Sequence, residues 1–400
     1  MGKTFLIRET YGYRFTFQHA GLSEGTMKDQ LFAFTSSLKD AGCKTTDSPK
    51  NWLEAFELLK DVVLIICASA TSWMLSKVVH NKGGLYNRLT EQIHLQTFTL
   101  KECEEYVQAA GLVMNREQIL QYYMIFGGVP YYWGFLKKGL SLSQNVDAIL
   151  FAKDAPLAEE FKYLYASVFK HPEVYVKLIE ALGTKRVGMT REDLIQASQI
   201  TNSGDLTLKL EELESCGFIR KYYALGMKKK NAVYQLMDCF TLFYFQFLKN
   251  APTDEHYWSN QINTPKVNNW MGLSFERVCM MHTDQIKQKL GISGVLTDIN
   301  SWYCKPDPDK GVFGSQIDML IARKDQVINL CEMKYSGSEY TITEKVERGI
   351  RNKIHDLTLL TGTKYAIHPT LITTYGLVPN SYSECVQSVV TLKDLFVENL

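Results

Sequence analysis

Two apolar runs separated by a short polar turn, SQIDMLIARK (315–324) and VINLCEMKYS (327–336), constrain this chain more than any other feature. Each has strand length and is rich in Ile, Leu, Val and Met, with a turn near ARKDQ between them, so a β-hairpin is predicted. Side chains alternate between the faces of a strand. Glu332 and Lys334 stand two apart and therefore leave the same face. Asp318 lies on the preceding strand, and pairing of the two strands is expected to bring it beside Glu332. Two carboxylates so placed offer hard oxygen ligands to Mg²⁺ or Mn²⁺. Lys334 next to them could orient or help deprotonate a water and offset charge on a scissile phosphate. Glu276, on the helix predicted before the hairpin, supplies a third acid. An isolated Glu-x-Lys is usually an ordinary ion pair worth little. The ordered Asp318 and the apolar runs flanking both strands set this one apart.

A length of 400 residues predicts two to four domains, because single cores rarely grow beyond roughly 250–300 residues. The net charge of +1 argues neither for nor against nucleic acid, so only local basic patches bear on that partner. Nine cysteines are scattered with no C-x-x-C pair, which predicts neither a disulfide framework nor a zinc site and points to a reducing compartment. Cys67, Cys239 and Cys331 sit inside apolar runs and are expected to be buried thiols. DVVLIICASA, the longest apolar run, falls short of the roughly 20 residues a membrane helix needs, and the N-terminus shows no basic-then-apolar leader. The expected location is cytoplasmic, with no membrane partner.

Along the chain the fold class reads as α/β. A helix is predicted after Gly2-Lys3-Thr4, a strand near RFTFQHA, helices around TMKDQLFAFTSSLKDAG and NWLEAFELLK, and a buried strand in VVLIICASA. Such alternation predicts a parallel sheet covered on both faces. From Leu100 to about Leu164 the pattern is helical and aromatic, interrupted by FGGVPYYW. PEVYVKLIEALG, TREDLIQASQI and SGDLTLKLEELESCGFI have helical spacing. IRKYYALGMKKKNAVYQLMD then reads as two strands joined by a basic turn. Three helices followed by a hairpin make a winged-helix pattern. FTLFYFQFLKN is expected to close it as a buried helix, and APTDEHYWSNQINTPK is the expected linker. A helix NWMGLSFERVCMMHTDQIKQKLG, the hairpin, a helix around KVERGIRNKIHDLTLLTG and a strand in KYAIHPTLITTYG complete a second α/β domain. His94, His171, His282 and His368 show no metal-ligand spacing and read as packing or surface.

The order Glu276 … Asp318 … Glu332-x-Lys334 resembles the PD-(D/E)xK nuclease superfamily. GSQIDMLIARKDQVINLCEMKYS is similar to the core of archaeal Holliday-junction resolvases and restriction-endonuclease-like domains. The resemblance covers about the last third of the chain. It implies that Glu276, Asp318 and Glu332 are metal-binding acids and Lys334 the catalytic lysine, with Ile317 standing where the family usually has proline.

In the N-terminal half, GKTFLIRET, NWLEAFELLK, LIICASATSWM, GGLYNRLTEQIHLQTFTLKECEEY and FGGVPYYW together resemble the archaeal-type ATPases, a STAND-related branch of the AAA+ P-loop NTPases. Members carry a winged helix and often a restriction-endonuclease-like C-terminal domain. The resemblance implies that Gly2, Lys3 and Thr4 are phosphate-loop residues, with Thr4 also on Mg²⁺. It places Ser69 at the end of the sensor strand, makes Arg88 the arginine of GGLYNR, and sets Gly128 and Pro130 in the G-x-P motif near the adenine of ATP. Two departures bear on activity. A P-loop reads G-x-x-x-x-G-K-[ST] after a buried strand, and neither the first glycine nor that strand is in the sequence. No apolar strand in this half runs into an acidic pair either: ELLKDVVLIICASA continues without one, and Asp61 precedes its strand. Those acids would hold Mg²⁺ and polarise the attacking water, so weak or absent ATP turnover is expected.

The expected organisation is an incomplete P-loop NTPase sheet (1–98), a helical lid (99–168), a winged helix (169–250), a linker (251–268) and a nuclease-like α/β domain (269–400). Three functions follow as expectations. The first is nucleotide binding by an ATPase homologue, the second metal-dependent cleavage of DNA or RNA by Asp318, Glu332 and Lys334. The third is a non-catalytic DNA- or protein-binding regulator, with assembly into an oligomer left open. The candidate recognition helix SGDLTLKLEELE carries one lysine against four acids, a poor match for a phosphate backbone. Lys228, Lys229 and Lys230 on the wing are the positive contribution.

Overall fold

The computed structural model describes residues 2–22, 25–44, 47–59, 65–67, 91, 93–223, 225 and 232–398. The chain divides into two units, Met1–Ala68 and Ser69–Leu400. The fold class is mixed α/β, with helices alongside sheets of three and five strands.

The first unit contains α1 (Gly2–Thr10), α2 (Met27–Asp40) and α3 (Trp52–Glu57). Thr26 caps α2 and exchanges hydrogen bonds with Asp29 in a capping box, satisfying amide groups that a helix start leaves open. Leu31, Phe34, Leu38 and Ala55 form its core, with Phe17 and Trp52 edge-on to Phe34. The strand expected near RFTFQHA does not form. Residues 14–20 run irregularly, and among the described residues this unit offers no partner strand for them to pair with. The expected strand VVLIICASA lies mostly outside the described residues. Within it Cys67 is exposed, a correction to its expected burial: residues 65–67 form no strand that would turn it inward. All nine cysteines are free thiols, and Cys239 and Cys331 are buried as expected.

The second unit begins its described helices with α4 (Leu100–Ala109), α5 (Arg116–Phe126), α6 (Pro130–Trp133), α7 (Leu142–Val146), continued by a π turn, and α8 (Glu160–Val168). Next come α9 (Pro172–Gly183), β1 (Met189–Thr190), α10 (Arg191–Ser198), α11 (Gly204–Ser215), β2 (Ile219–Tyr223) and β3 (Ala232–Leu236). The three strands form an antiparallel sheet in the order β1-β3-β2. Leu178, Leu182, Leu194, Leu206, Leu210 and Leu213 of the helices pack on it as a separate core. The spacing of these leucines along α9 and α11, three or four apart, is why the sequence pattern was readable there.

α12 (Cys239–Phe243), with a following π turn, is buried. The segment expected as a linker is structured instead. It holds α13 (Tyr257–Gln261) and the start of α14 (Pro265–Met281). Asp147 accepts the amide N–H of Trp258 at 2.8 Å, and Trp258 packs among Phe243, Phe247 and Trp270 with ring centroids 5.1, 5.2 and 6.0 Å away. The aromatic pair Tyr257-Trp258 was the signal: burying two such rings outweighs the polar composition around them.

α15 (Thr283–Lys289), β4 (Thr297–Cys304), β5 (Ser315–Arg323), β6 (Val327–Lys334), α16 (Glu344–Thr361), β7 (Ala366–Thr373) and β8 (Ser388–Thr391) complete the chain. The five strands lie in the order β4-β5-β6-β7-β8, antiparallel through β6 and parallel from β6 to β8. The predicted β5–β6 hairpin is present. Gln326 takes a left-handed conformation in its turn (φ 68°), and Arg323 pairs with Asp325 beside it at 2.5 Å. β6 is central and covered on both faces, hence its continuous apolar run. Cys331 and Met333 join the large core, while Ile328 and Leu330 join Trp302, Leu320 and Leu357 under α16. Thr343 caps α16 at its start and Gly362, left-handed at φ 62°, ends it.

The large core runs from Leu100 and Phe126 through Phe240, Trp258 and Phe275 to Met319, Cys331 and Ile372. The parts expected as separate lid and nuclease-like domains thus share one core, and α14 lies between them.

Candidate functional site

α14 and β5–β6 carry the residues singled out in the C-terminal part. Glu276 is buried on α14, and Arg186, from the turn between α9 and β1, pairs with it. The same guanidinium lies 3.7 Å from Asp318. Asp318 also accepts a hydrogen bond from the Gln316 amide at 2.7 Å. Glu332 forms a second group: one carboxylate oxygen is 2.7 Å from the ammonium of Lys334 and the other 2.6 Å from that of Lys353 on α16.

A β-bulge explains why the acids divide this way. Asn300 of β4 faces Leu320 and Trp302 faces Ile317, so Ser301 stands opposite two residues, Asp318 and Met319. The Ser301 hydroxyl donates to the Asp318 carbonyl at 2.5 Å. Regular β5–β6 pairing ends at Met319↔Cys331, one step before Asp318 and Glu332 would pair. A bulge re-aims the side chains at its position. Asp318 is therefore held with Glu276 and Arg186, where the sequence had placed it directly beside Glu332. Among the described residues no group of three or more His, Cys, Asp or Glu stands close enough together to hold a metal ion. The expected three-acid metal cluster of Glu276, Asp318 and Glu332 is corrected accordingly to a carboxylate pair and a separate carboxylate–lysine group.

Charge then sets the protonation states. Burial raises the pKa of Glu276, and the neighbouring Asp318 raises it further; Arg186 only partly offsets this. For Glu332 burial acts upward, but Lys353 and Lys334 outweigh it and hold the carboxyl below its ordinary value. Burial acts downward on Lys334, yet Glu332 outweighs it and the ammonium is held more tightly than usual. Lys334 is thus a fixed cation at neutral pH, suited to offset phosphate charge; deprotonating a water would require it to be neutral.

Behind the carboxylates lie two further arginines that the sequence did not single out. Arg277 is fully buried and donates to the carbonyls of Leu236 (3.2 Å) and Arg186 (2.7 Å). Arg220 donates to Gln235 (2.6 Å) and to the Ser301 hydroxyl (2.8 Å), and burial, with Arg277 nearby, pushes it down to about 10. Together Arg186, Arg220, Arg277, Lys334 and Lys353 outnumber Glu276, Asp318 and Glu332. Only the order of acids and Lys334 was readable in sequence; Arg186, Arg220 and Lys353 arrive from separate elements.

The residues expected at a nucleotide site fall in both units or outside the described residues. Gly2, Lys3 and Thr4 form the first turn of α1. Ser69 and Arg88 lie outside the described residues, as do Asp61 and the lysines 228–230. Gly128 and Pro130 are in the second unit, and both serve packing. The Phe98 amide donates to the Gly128 carbonyl at 2.7 Å, and a Cβ on Gly128 would stand 1.9 Å from the Phe98 carbonyl oxygen. Pro130 opens α6, whose Trp133 indole donates to the Gly127 carbonyl at 2.9 Å. On α11 Glu212 is buried against the Tyr175 hydroxyl and Lys209 pairs with Asp205 at 2.5 Å, which leaves that helix no free cation. Among the described residues no helix is long and apolar enough to cross a membrane.

Comparison of the sequence with protein-family models and curated proteins, and of the fold with solved structures, finds no match.

Proposed function

We propose that the chain acts on nucleic-acid phosphodiesters through the carboxylate–lysine site of its C-terminal part, as a nuclease-like module joined to a winged-helix unit. The observation that carries this reading is that α14, β5 and β6 bring the Glu276–Asp318 pair near the Glu332–Lys334 group, with Arg186, Arg220, Arg277 and Lys353 around them, so that cations outnumber acids. Such a surplus favours a polyanionic substrate over a neutral one. The unit formed by α9, α10, α11 and the β1-β3-β2 sheet supports the winged-helix part by its element order, although α11 offers DNA little charge.

The side chains divide the work by their charge states. Lys334, fixed as a cation by Glu332, offsets negative charge that builds on a phosphate during cleavage. Glu276, the acid whose proton affinity burial raises, is the group suited to accept a proton from water. Lys353 shares Glu332 and so fixes the direction in which Lys334 points. Glu276 and Asp318 present the hard oxygens that Mg²⁺ or Mn²⁺ prefers, and one or two carboxylates suffice for Mg²⁺ when substrate phosphate completes the shell. A divalent ion held there would supply Lewis acidity at a phosphoryl oxygen.

The test is incubation of the full chain with linear, branched and single-stranded DNA in Mg²⁺ or Mn²⁺, beside a Glu332→Ala, Lys334→Ala double variant. Cleavage present in the parent and lost in a normally folded double variant is the expected result. Cleavage that survives in the double variant, or none on any substrate, refutes the reading.

A further inference from the structure

Asp318 is held from two directions by the unit of α9–α11 and the three-stranded sheet. Its carboxylate lies 3.7 Å from the guanidinium of Arg186. Its carbonyl accepts the Ser301 hydroxyl, which in turn accepts Arg220 of β2 at 2.8 Å. The two arms join behind the site. Gln235 of β3 accepts from Arg220 at 2.6 Å through its side-chain oxygen and donates through its amide nitrogen to the Arg186 carbonyl at 2.7 Å. A closed ring of polar contacts thus runs from Asp318 through Ser301, Arg220, Gln235 and Arg186 back to Asp318. Ser301 and Gln235 are buried, at 6% and 2% exposed. The ring has one polarity. A guanidinium only donates, so the Ser301 oxygen accepts from Arg220 and its single proton is left for the Asp318 carbonyl. That carbonyl stands at the bulge, where the β4–β5 ladder is interrupted. Stability alone does not account for the arrangement. Among the described residues Arg220 pairs with no carboxylate; it bonds Gln235 and Ser301 and lies 4.7 Å over the Tyr222 ring. Burial, the largest influence, works against its charge, and the negative charge of Asp318 works the other way. An enclosed arginine on neutral partners is unfavourable for folding taken by itself.

Resting on the reading above, we propose that Ser301 and Arg220 are positioning residues of the site: they fix the direction of Asp318 through its main chain, which makes the three-stranded unit part of the site's alignment. Arg220 sets which way the Ser301 hydroxyl points, Ser301 holds the bulged main chain, and the bulge aims the Asp318 carboxylate toward Glu276 and Arg186. Ser301 carries no charge and is buried, so it meets no substrate, and whatever it contributes to cleavage passes through Asp318. A misplacement of about 1 Å at a reacting group is enough to lose about a hundredfold in rate.

The test compares the full chain with its Ser301→Ala, Ser301→Thr and Arg220→Lys variants on DNA in Mg²⁺ or Mn²⁺. Ser301→Ala should lower kcat about tenfold to a hundredfold while KM for DNA stays within about twofold, the pattern of lost alignment rather than lost binding. Ser301→Thr keeps the hydroxyl and should restore kcat. Arg220→Lys, with a point donor in place of the fork, should lower kcat too and carries the test if Ser301→Ala does not fold. Carboxyl-carbon NMR at fixed pH reads the direction of Asp318 without substrate: its resonance should move in Ser301→Ala and return in Ser301→Thr. An unmoved Asp318 resonance in folded Ser301→Ala, a loss confined to KM, or a folded Ser301→Thr that behaves like Ser301→Ala overturns the proposal. A moved resonance in a chain that cleaves no DNA supports the aiming of Asp318 and refutes the nuclease reading. Cleavage by the parent with equal kcat in Ser301→Ala does the reverse.

Discussion

α14, which carries Glu276, is tied to the helical layer through His282 at its C-terminal end, and that tie should make the protein acid-sensitive. His282 is 1% exposed. Its Nδ1 donates to the Val278 carbonyl at 2.8 Å, so Nε2 is the free lone pair, and it accepts the Leu100 N–H that opens α4 at 2.9 Å. Protonation would leave the bond to Val278 but would take away the lone pair that accepts Leu100. Burial pushes the imidazole down to about 4, against 6.5 for an ordinary histidine. The unfolded chain therefore binds this proton more readily than the folded one. The contribution to stability is complete above about pH 6.5 and is lost as pH falls toward the folded value. At 1.36 kcal/mol per pH unit the loss reaches about 3 kcal/mol by pH 4, and about 2 kcal/mol of it is already gone at pH 5. Hydrogen exchange at the Leu100 amide, measured from pH 7.5 to 5, reads the opening free energy where the bond is made. In His282→Gln a carbonyl oxygen can still accept that amide but cannot titrate, so the variant should show a flatter pH dependence than the parent. NMR titration of the imidazole supplies the direct value. Parallel slopes for parent and variant, or a midpoint near 6.5, would refute the reasoning.

Two further outcomes follow from the same packing. Gly128→Ala should lower the melting temperature, because the added methyl meets the Phe98 main chain and no flexible side chain can yield; a cost of about 1–3 kcal/mol is expected, and an unchanged melting curve would exclude the close approach. Lys353→Met removes the larger of the two cationic influences on Glu332, so its carboxyl should titrate at higher pH, with burial then less opposed. Carbon-detected NMR of the Glu332 side chain follows this, and the acid limb of any cleavage profile should move upward with it.

Local signals were legible wherever neighbouring residues decide the structure. The helices around Leu178, Leu206 and Ile350 each carry an apolar repeat that a helix turns to one face, and the apolar runs around Leu320 and Leu330 are bounded by turn residues, so these elements and the β5–β6 hairpin were readable. The order of Glu276, Asp318, Glu332 and Lys334 was readable too. What strand pairing alone could not give was the bulge opposite Ser301, since an extra residue in a ladder depends on the partner strand β4, which has no strong pattern of its own. That one residue moves Asp318 from Glu332 to Glu276. RFTFQHA has strand composition but, among the described residues, no strand to pair with, and Tyr257-Trp258 sits in polar surroundings yet is buried, because pairing partners and aromatic burial are supplied from far along the chain. Sequence by itself determined which residues could do ionic chemistry and on which elements they ride. Tertiary structure alone decided which charges meet: Arg186, Arg220, Lys353 and His282 act across separations no local rule spans, and electrostatic partnership depends on distance in space, falling away with separation whatever the spacing in the chain.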